Sequence, residues 1–242
     1  MDNDIKIAGS GKISEGEYNE IKISGSAKIA GNVKCAGLSA AGSVSCEGSA
    51  ECSGEVRISG SGRFEGRIDA QTVKVSGALK CVDASFETME ISGALSCAGE
   101  LKGKTFKCGG AVKAEAGIEC ESVTVNGAVS CAGLINADEV KIVLDGKSCA
   151  ESIGGGKITV SRPENDPDTR GGFFRRLFRK SSGTLEVSSS VEGDVIDISF
   201  TKAQTVSGRS VKIGSGCEIG AVIYTDSVEI SPEAKVEKTE KA

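Results

Sequence analysis

The sequence has no histidine and no tryptophan, and only three of its 242 residues are proline. Without histidine, Ser-His-Asp and Cys-His catalysis, His-ligated metals and acyl transfer with a His base are all excluded. Aromatic residues make up 4% of the chain, too few for an ordinary globular core of this length. No apolar run approaches the roughly 18 residues of a membrane span. No Cys-x-x-Cys pair occurs, so the ten cysteines lack zinc-ligand spacing. A net charge of −5 argues against bulk nucleic-acid binding. The start, Met1-Asp2-Asn3-Asp4, is acidic and has no signal-peptide pattern. That start and the many thiols point to a cytosolic chain with reduced cysteines.

Glycine is abundant, at 33 residues, and it punctuates a repeat. Apolar residues lead successive blocks at Ile5, Ile21, Leu38, Val56, Val73, Met89, Phe106, Val123 and Val140. Their spacings are 16, 17, 18, 17, 16, 17, 17 and 17. Within a block the first and third positions are apolar or small and the second is polar, as in Val56-Arg57-Ile58 and Val73-Lys74-Val75. Period two describes a short strand with one buried face. Each strand closes on Ser-Gly, Ala-Gly or a similar pair, where positive φ would let glycine turn the corner. Three strands and three corners per 17 residues predict an all-β fold, a parallel, triangular β-helix. Nine coils before residue 145 would span about 40 Å at the spacing of paired strands.

A narrow triangular interior favours small apolar side chains. Cys35, Cys46, Cys52, Cys81, Cys97, Cys108, Cys120 and Cys131 fall on inward positions, where cysteine acts as a small hydrophobe. The register predicts Cys35 stacked with Cys52 and Cys81 with Cys97. A disulfide is geometrically conceivable there, but packed thiols are the expectation in a cytosolic chain.

The pattern divides the chain into β-helix coils over 1–160, an inserted loop over 161–184, final coils over 185–231 and a charged, disordered tail over 232–242. Asp145 to Gly156, with three consecutive glycines, reads as irregular coil. The insertion holds two of the three prolines and three of the seven phenylalanines.

Motifs for chemistry fail one by one. Gly146-Lys147-Ser148 resembles the end of a phosphate loop, but Lys141 stands where the first glycine must be. Carboxylates are scattered over outward positions, and no pair stands out. No catalytic, cofactor-binding or metal-binding residue is therefore assigned, and no cofactor is expected.

The ends are more informative. Solenoids ordinarily carry polar caps, yet strand pattern starts by Ile5 and persists to Ile230. Open ends are templates for strand pairing, so Ile7 and Ile13 at one end, and Ile213 and Ile230 at the other, are the expected polymer interface. A second feature lies in the insertion. Phe173, Phe174, Leu177 and Phe178 fall on one helical face, and Arg175, Arg176, Arg179 and Lys180 on the other. A basic amphipathic segment of this kind fits an anionic membrane surface or a protein partner.

Short strands punctuated by Ser-Gly, open ends and missing cofactor motifs resemble the bactofilins, a family of bacterial polymer-forming cytoskeletal proteins. The stretch from Val191-Glu192-Gly193-Asp194 to Cys217-Glu218-Ile219-Gly220 resembles their longer, two-segment members. The resemblance implies a right-handed β-helix, nucleotide-independent homopolymers joined end to end, and scaffolding of envelope or appendage machinery. It implies no enzymatic activity. Many bactofilins carry a membrane-targeting N-terminus. This chain departs there, so a location at the inner face of the cell membrane would fall to residues 173–180. The competing class is an acyltransferase-type enzyme built on hexapeptide repeats. Those share the periodicity, but their acid-base residue is typically a histidine.

Overall fold

A computed structural model describes residues 3–163 and 183–242. Among these residues the regular structure is β-strand, without helix. Consecutive coils pair in parallel, residue on residue, through about 13 turns of a β-solenoid. The register follows the repeat read from the sequence. Ile5 pairs with Ile21, Leu38 with Val56, Val73 with Met89 and Phe106 with Val123. Each coil has three faces. In the first three coils, face A carries Ile5–Ile7, Glu20–Ile23 and Gly37–Ala40. Face B begins with Ser10–Ile13, Ser26–Ile29 and Ser43–Cys46, and face C pairs Val33, Lys34 and Cys35 with Ala50, Glu51 and Cys52.

Alternation within each strand sends one side chain in and the next out. Val73 is 0% exposed, between Val56 and Met89, while Lys74 faces outward to Glu55. The columns this creates fill the interior. One column on face B runs Ile13, Ile29, Cys46, Phe64 and, further up, Cys81, Cys97, Ala114 and Cys131. Large rings enter this narrow core only at intervals. Phe86 and Phe106 meet with their centroids 6.3 Å apart, beside small neighbours such as Gly103. Eight of the ten cysteines are buried.

The structure changes four readings of the sequence. The first concerns corner glycines. A positive φ occurs at Gly16, Gly31 and Gly216 among the described glycines, not along the Ser-Gly corner. At that corner Gly25, Gly42, Gly60, Gly77, Gly93, Gly110 and Gly127 are stacked, and a Cβ on any one would overlap a carbonyl oxygen of the coil beneath. Close approach of backbones, rather than a left-handed conformation, requires glycine here.

The second concerns Asp145 to Gly156. Lys147–Ser161 is a continuous strand segment that stays paired with the coil beneath, with one register shift between Ala150 and Ser152. Gly155 rests on Ala137 and supports Gly193, and a Cβ on it would overlap the Ala137 carbonyl oxygen. The glycine run is a place where coils crowd, not a loop.

The third concerns the tail. Residues 232–242 are not a disordered extension, because Lys235–Lys241 forms a strand on Glu218–Tyr224. Val236 stacks on Ile219, and the Lys235 ammonium lies 3.8 Å from the Glu218 carboxylate. The fourth is the position of Ile213, which pairs beneath Ile230 and is 1% exposed. It belongs to the core one coil below the end.

The insertion leaves the ladder intact. Lys147 pairs with Thr184 and Ile158 with Ile196, so Ser161 and Thr184 stand at the corner between faces A and B, one on each side of the insertion. Its base is clasped. The Arg162 Nε–H donates to the Gly183 carbonyl at 2.8 Å, and the guanidinium lies 3.5 Å over the Phe200 ring. Phe200 itself has a φ of 55°, packed against Gly216.

Candidate assembly interface

The two ends are built differently. At the N-terminal end, Ile5–Ile7 pairs on one side only, with Ile21–Ile23. Ile5 and Ile7 are half-buried, whereas Ile21 and Ile23 are 0% and 2% exposed. Ile7 leans over Gly11, where a Cβ would stand 2.9 Å from its Cδ1. Ile13 is already buried at 2% and offers little apolar area. Tyr18 packs against the core nearby and donates its hydroxyl hydrogen to the Ser14 carbonyl at 2.9 Å. The segment leading in is tied down: the Asn3 side-chain amide donates to the Glu17 carbonyl at 2.7 Å, and Asn19 donates to the Asp4 carboxylate at 2.9 Å.

At the C-terminal end the last strand covers part of the final coil. Lys235–Lys241 lies over faces B and C, but Ser227–Ile230 on face A pairs only with Ser210–Ile213 below. Ile230 is 38% exposed, and Val228, Ala234 and Val236 are half-buried. Among the described residues, face A is therefore bare at both ends, each time as an apolar-charged-apolar triplet, Ile5-Lys6-Ile7 and Val228-Glu229-Ile230. Unpaired strand edges of this kind recruit further strands. Ile7 and Ile13 thus lie at one end and Ile230 at the other of a solenoid of about 13 coils. They form two separate surfaces, not one site.

Sequence reading missed two parts of these surfaces and one contact at the base of the insertion. Tyr18 gave no signal beyond being an isolated aromatic. The last strand did leave one: Glu218 to Lys235 and Ile219 to Val236 are both 17 apart, the repeat itself. The Arg162–Phe200 clasp joins two stacked coils where the insertion separates them in sequence, and it left none.

The solenoid wall is a mosaic of ion pairs between coils. Lys34 reaches Glu51 at 2.9 Å, Lys102 reaches Glu119 at 2.7 Å and Lys202 reaches Glu218 at 2.7 Å. The Glu218 carboxyl is held below its ordinary range by the hydrogen bond from Lys202, then by the Lys202 charge, and Lys202 is raised in turn by Glu218. A surface depression on the C-terminal half of face B is lined by such groups, with Cys149, Glu186, Lys202 and Glu218 among them. Among the described residues, no three Cys, Asp or Glu side chains converge as a metal site. No described helix is long and apolar enough to cross a membrane. The basic amphipathic segment Phe173–Lys180 lies outside the described residues.

No family model matches this sequence, and no solved structure matches it. Two curated proteins of Bacillus subtilis (strain 168) do. "Uncharacterized protein YhbE" is 37% identical over 110 residues, 45% of this chain and 43% of that protein. "Uncharacterized protein YhbF" is 34% identical over 110 residues, 45% of this chain and 42% of that protein. The chain thus spans less than half the length of the curated relatives it matches. Neither name states an activity.

Proposed function

We propose that this chain is a non-enzymatic scaffold that polymerises end to end without nucleotide, in the manner of the bactofilins it resembles. The observation that carries this reading is the bare face A at both ends. Ile5–Ile7 and Ser227–Ile230 are each paired on one side only, with Ile7 and Ile230 presenting apolar surface there. A second copy set against such an end adds backbone hydrogen bonds and removes those side chains from water. Both gains are available without a chemical energy source. Each interface is small, about one coil in cross-section, so side chains at its centre should decide whether it holds.

In this reading the filament is cytoplasmic and lies against the inner face of the cell membrane. Phe173, Phe174, Leu177 and Phe178 enter the lipid interface, and Arg175, Arg176, Arg179 and Lys180 meet anionic headgroups. The array then recruits envelope or appendage proteins. Negative-stain electron microscopy and sedimentation of the purified chain in nucleotide-free buffer test the central claim. Filaments that appear without nucleotide are expected. A chain that stays monomeric at micromolar concentration overturns it.

A further inference from the structure

Two pairs of cysteines stack in register inside the solenoid, Cys35 on Cys52 and Cys81 on Cys97. Their surroundings differ. The Cys35 and Cys52 Sγ atoms are 2.8 Å apart and share a hydrogen. Neighbours on adjacent strands have Cα atoms about 4.8 Å apart, within the roughly 4.4–6.8 Å that a disulfide bridges. Both residues border a surface depression beside Lys34 and Glu51, and they are 6% and 4% exposed. Cys81 and Cys97 are hydrogen-bonded to each other as well, but they are sealed, at 1% and 0%, and the Cys97 thiol also donates to the Val82 carbonyl at 3.0 Å. The pair at 35 and 52 is therefore in bonding geometry and lies nearer to solvent than the pair at 81 and 97.

We propose that Cys35 and Cys52 are a redox-active dithiol, which a hydroperoxide converts into a disulfide joining the second and third coils. The Cys35 thiolate attacks a peroxide oxygen and the O–O bond breaks. One water leaves, and Cys35 becomes a sulfenic acid. The Cys52 sulfur then attacks the Cys35 Sγ, the S–O bond breaks and hydroxide departs as a second water, taking the Cys52 proton. Two thiols and one hydrogen peroxide thus give one disulfide and two waters, with two electrons passing to the peroxide. The hydrogen bond from Cys52 favours the thiolate at Cys35, whose pKa lies below its ordinary value. The same bond and burial push the Cys52 thiol up. Cys35 is also the more exposed of the two, so it is the attacking sulfur and Cys52 the resolving one.

The bridge would staple the coil beside the N-terminal end, because Tyr18 of the first coil is hydrogen-bonded through its backbone to Lys34 at 2.8 Å. This inference does not rest on assembly. The test treats the reduced full-length chain with equimolar hydrogen peroxide, alkylates the remaining thiols, digests without reductant and maps the peptides by mass spectrometry. The expected product joins the Cys35 and Cys52 peptides with the loss of two hydrogens, and a thiol reductant reverses it. Cys81 and Cys97 stay alkylatable after unfolding. Cys35→Ser removes the cross-link, while Cys81→Ser leaves it intact. The wild-type map stands whether or not those variants fold. The proposal is overturned if Cys81 and Cys97 couple as readily under native conditions. It is also overturned if Cys35 proceeds to sulfinic acid without a cross-link, or if the 35–52 pair remains reduced.

Discussion

A Cβ on Gly77 would overlap the carbonyl oxygen of Gly60 in the coil beneath. The same overlap recurs up the corner, so this ladder sets how closely coils can stack. Gly77→Ala should force the two backbones apart and cost about 1–3 kcal/mol, the usual range for overpacking. Thermal and urea unfolding read it directly. Gly9 is the first glycine of the ladder, and nothing lies within 4 Å of a Cβ built there. Gly9→Ala should therefore leave stability within about 0.5 kcal/mol of wild type. If another copy docks on this end, however, the new methyl would meet its backbone. Gly9→Val should fold normally and yet assemble poorly, and sedimentation beside circular dichroism separates the two effects.

Ile213 and Ile230 give the second contrast. They occupy one column, and the sequence treats them alike. Ile213 is buried beneath Ile230, which is 38% exposed. Ile213→Asp places an unpaired charge in the core and should unfold the last coils or the whole chain. Ile230→Asp should fold with an unchanged spectrum and reduce end-to-end assembly. Loss of filaments with both variants folded and equally stable would contradict this placement.

These contrasts show what the sequence carries and what it hides. The spacing of nine leading residues, Ile5 to Val140, gave coil length, register and the inward set, because a solenoid repeats one environment. Cys35 over Cys52 followed from the same arithmetic. The glycine corners were legible as positions but not in their cause, since a crowded backbone and a left-handed one select the same residue. The last strand, Lys-Val-Glu-Lys-Thr-Glu-Lys, hid itself because only Val236 is apolar. A strand with water above it and a charged Glu218 below has little need of hydrophobic residues. At the candidate interface, Ile7 and Ile230 were legible as end residues. The depth of Ile213 and Ile13 was not, because it depends on where the final coil and Tyr18 come to rest.

The last strand should respond to pH. Glu218 has its carboxyl pKa lowered by Lys202 and, to a smaller degree, by Lys235, and Glu240 is lowered by Lys238. A depressed carboxyl stabilises the fold above its ordinary value of 4.5 and loses that contribution as pH falls through the lower, folded value. The raised Lys202 contributes below its ordinary 10.5, and that is lost as pH rises through its folded value. Attachment of Lys235–Lys241 should therefore be firmest between these limits and weaken first on the acid side. Hydrogen-exchange protection of residues 235–241 should drop as pH falls below the ordinary carboxyl value of 4.5, while face A near Val73 and Met89 stays protected. These groups are fully exposed, so 1 M salt should reduce the effect.

The final expectation joins assembly to the basic segment. Each basic residue near an anionic surface contributes about 1 kcal/mol, so one copy of residues 173–180 should bind lipid weakly and reversibly. A filament carries many copies, and once one is bound the others are held at high effective concentration. Co-sedimentation with anionic liposomes should therefore require both the segment and the polymer. Phe174→Ser with Phe178→Ser should abolish it, as should Arg175→Glu with Arg176→Glu, and raised salt should weaken it in the wild type. Ile230→Asp retains the whole segment but assembles poorly, so it should bind much less than wild type at equal mass concentration. Equal binding by Ile230→Asp monomers would mean that a single segment suffices and that assembly has no part in membrane attachment. Wild-type filaments that ignore anionic liposomes at low salt would assign Phe173–Lys180 to a protein partner instead.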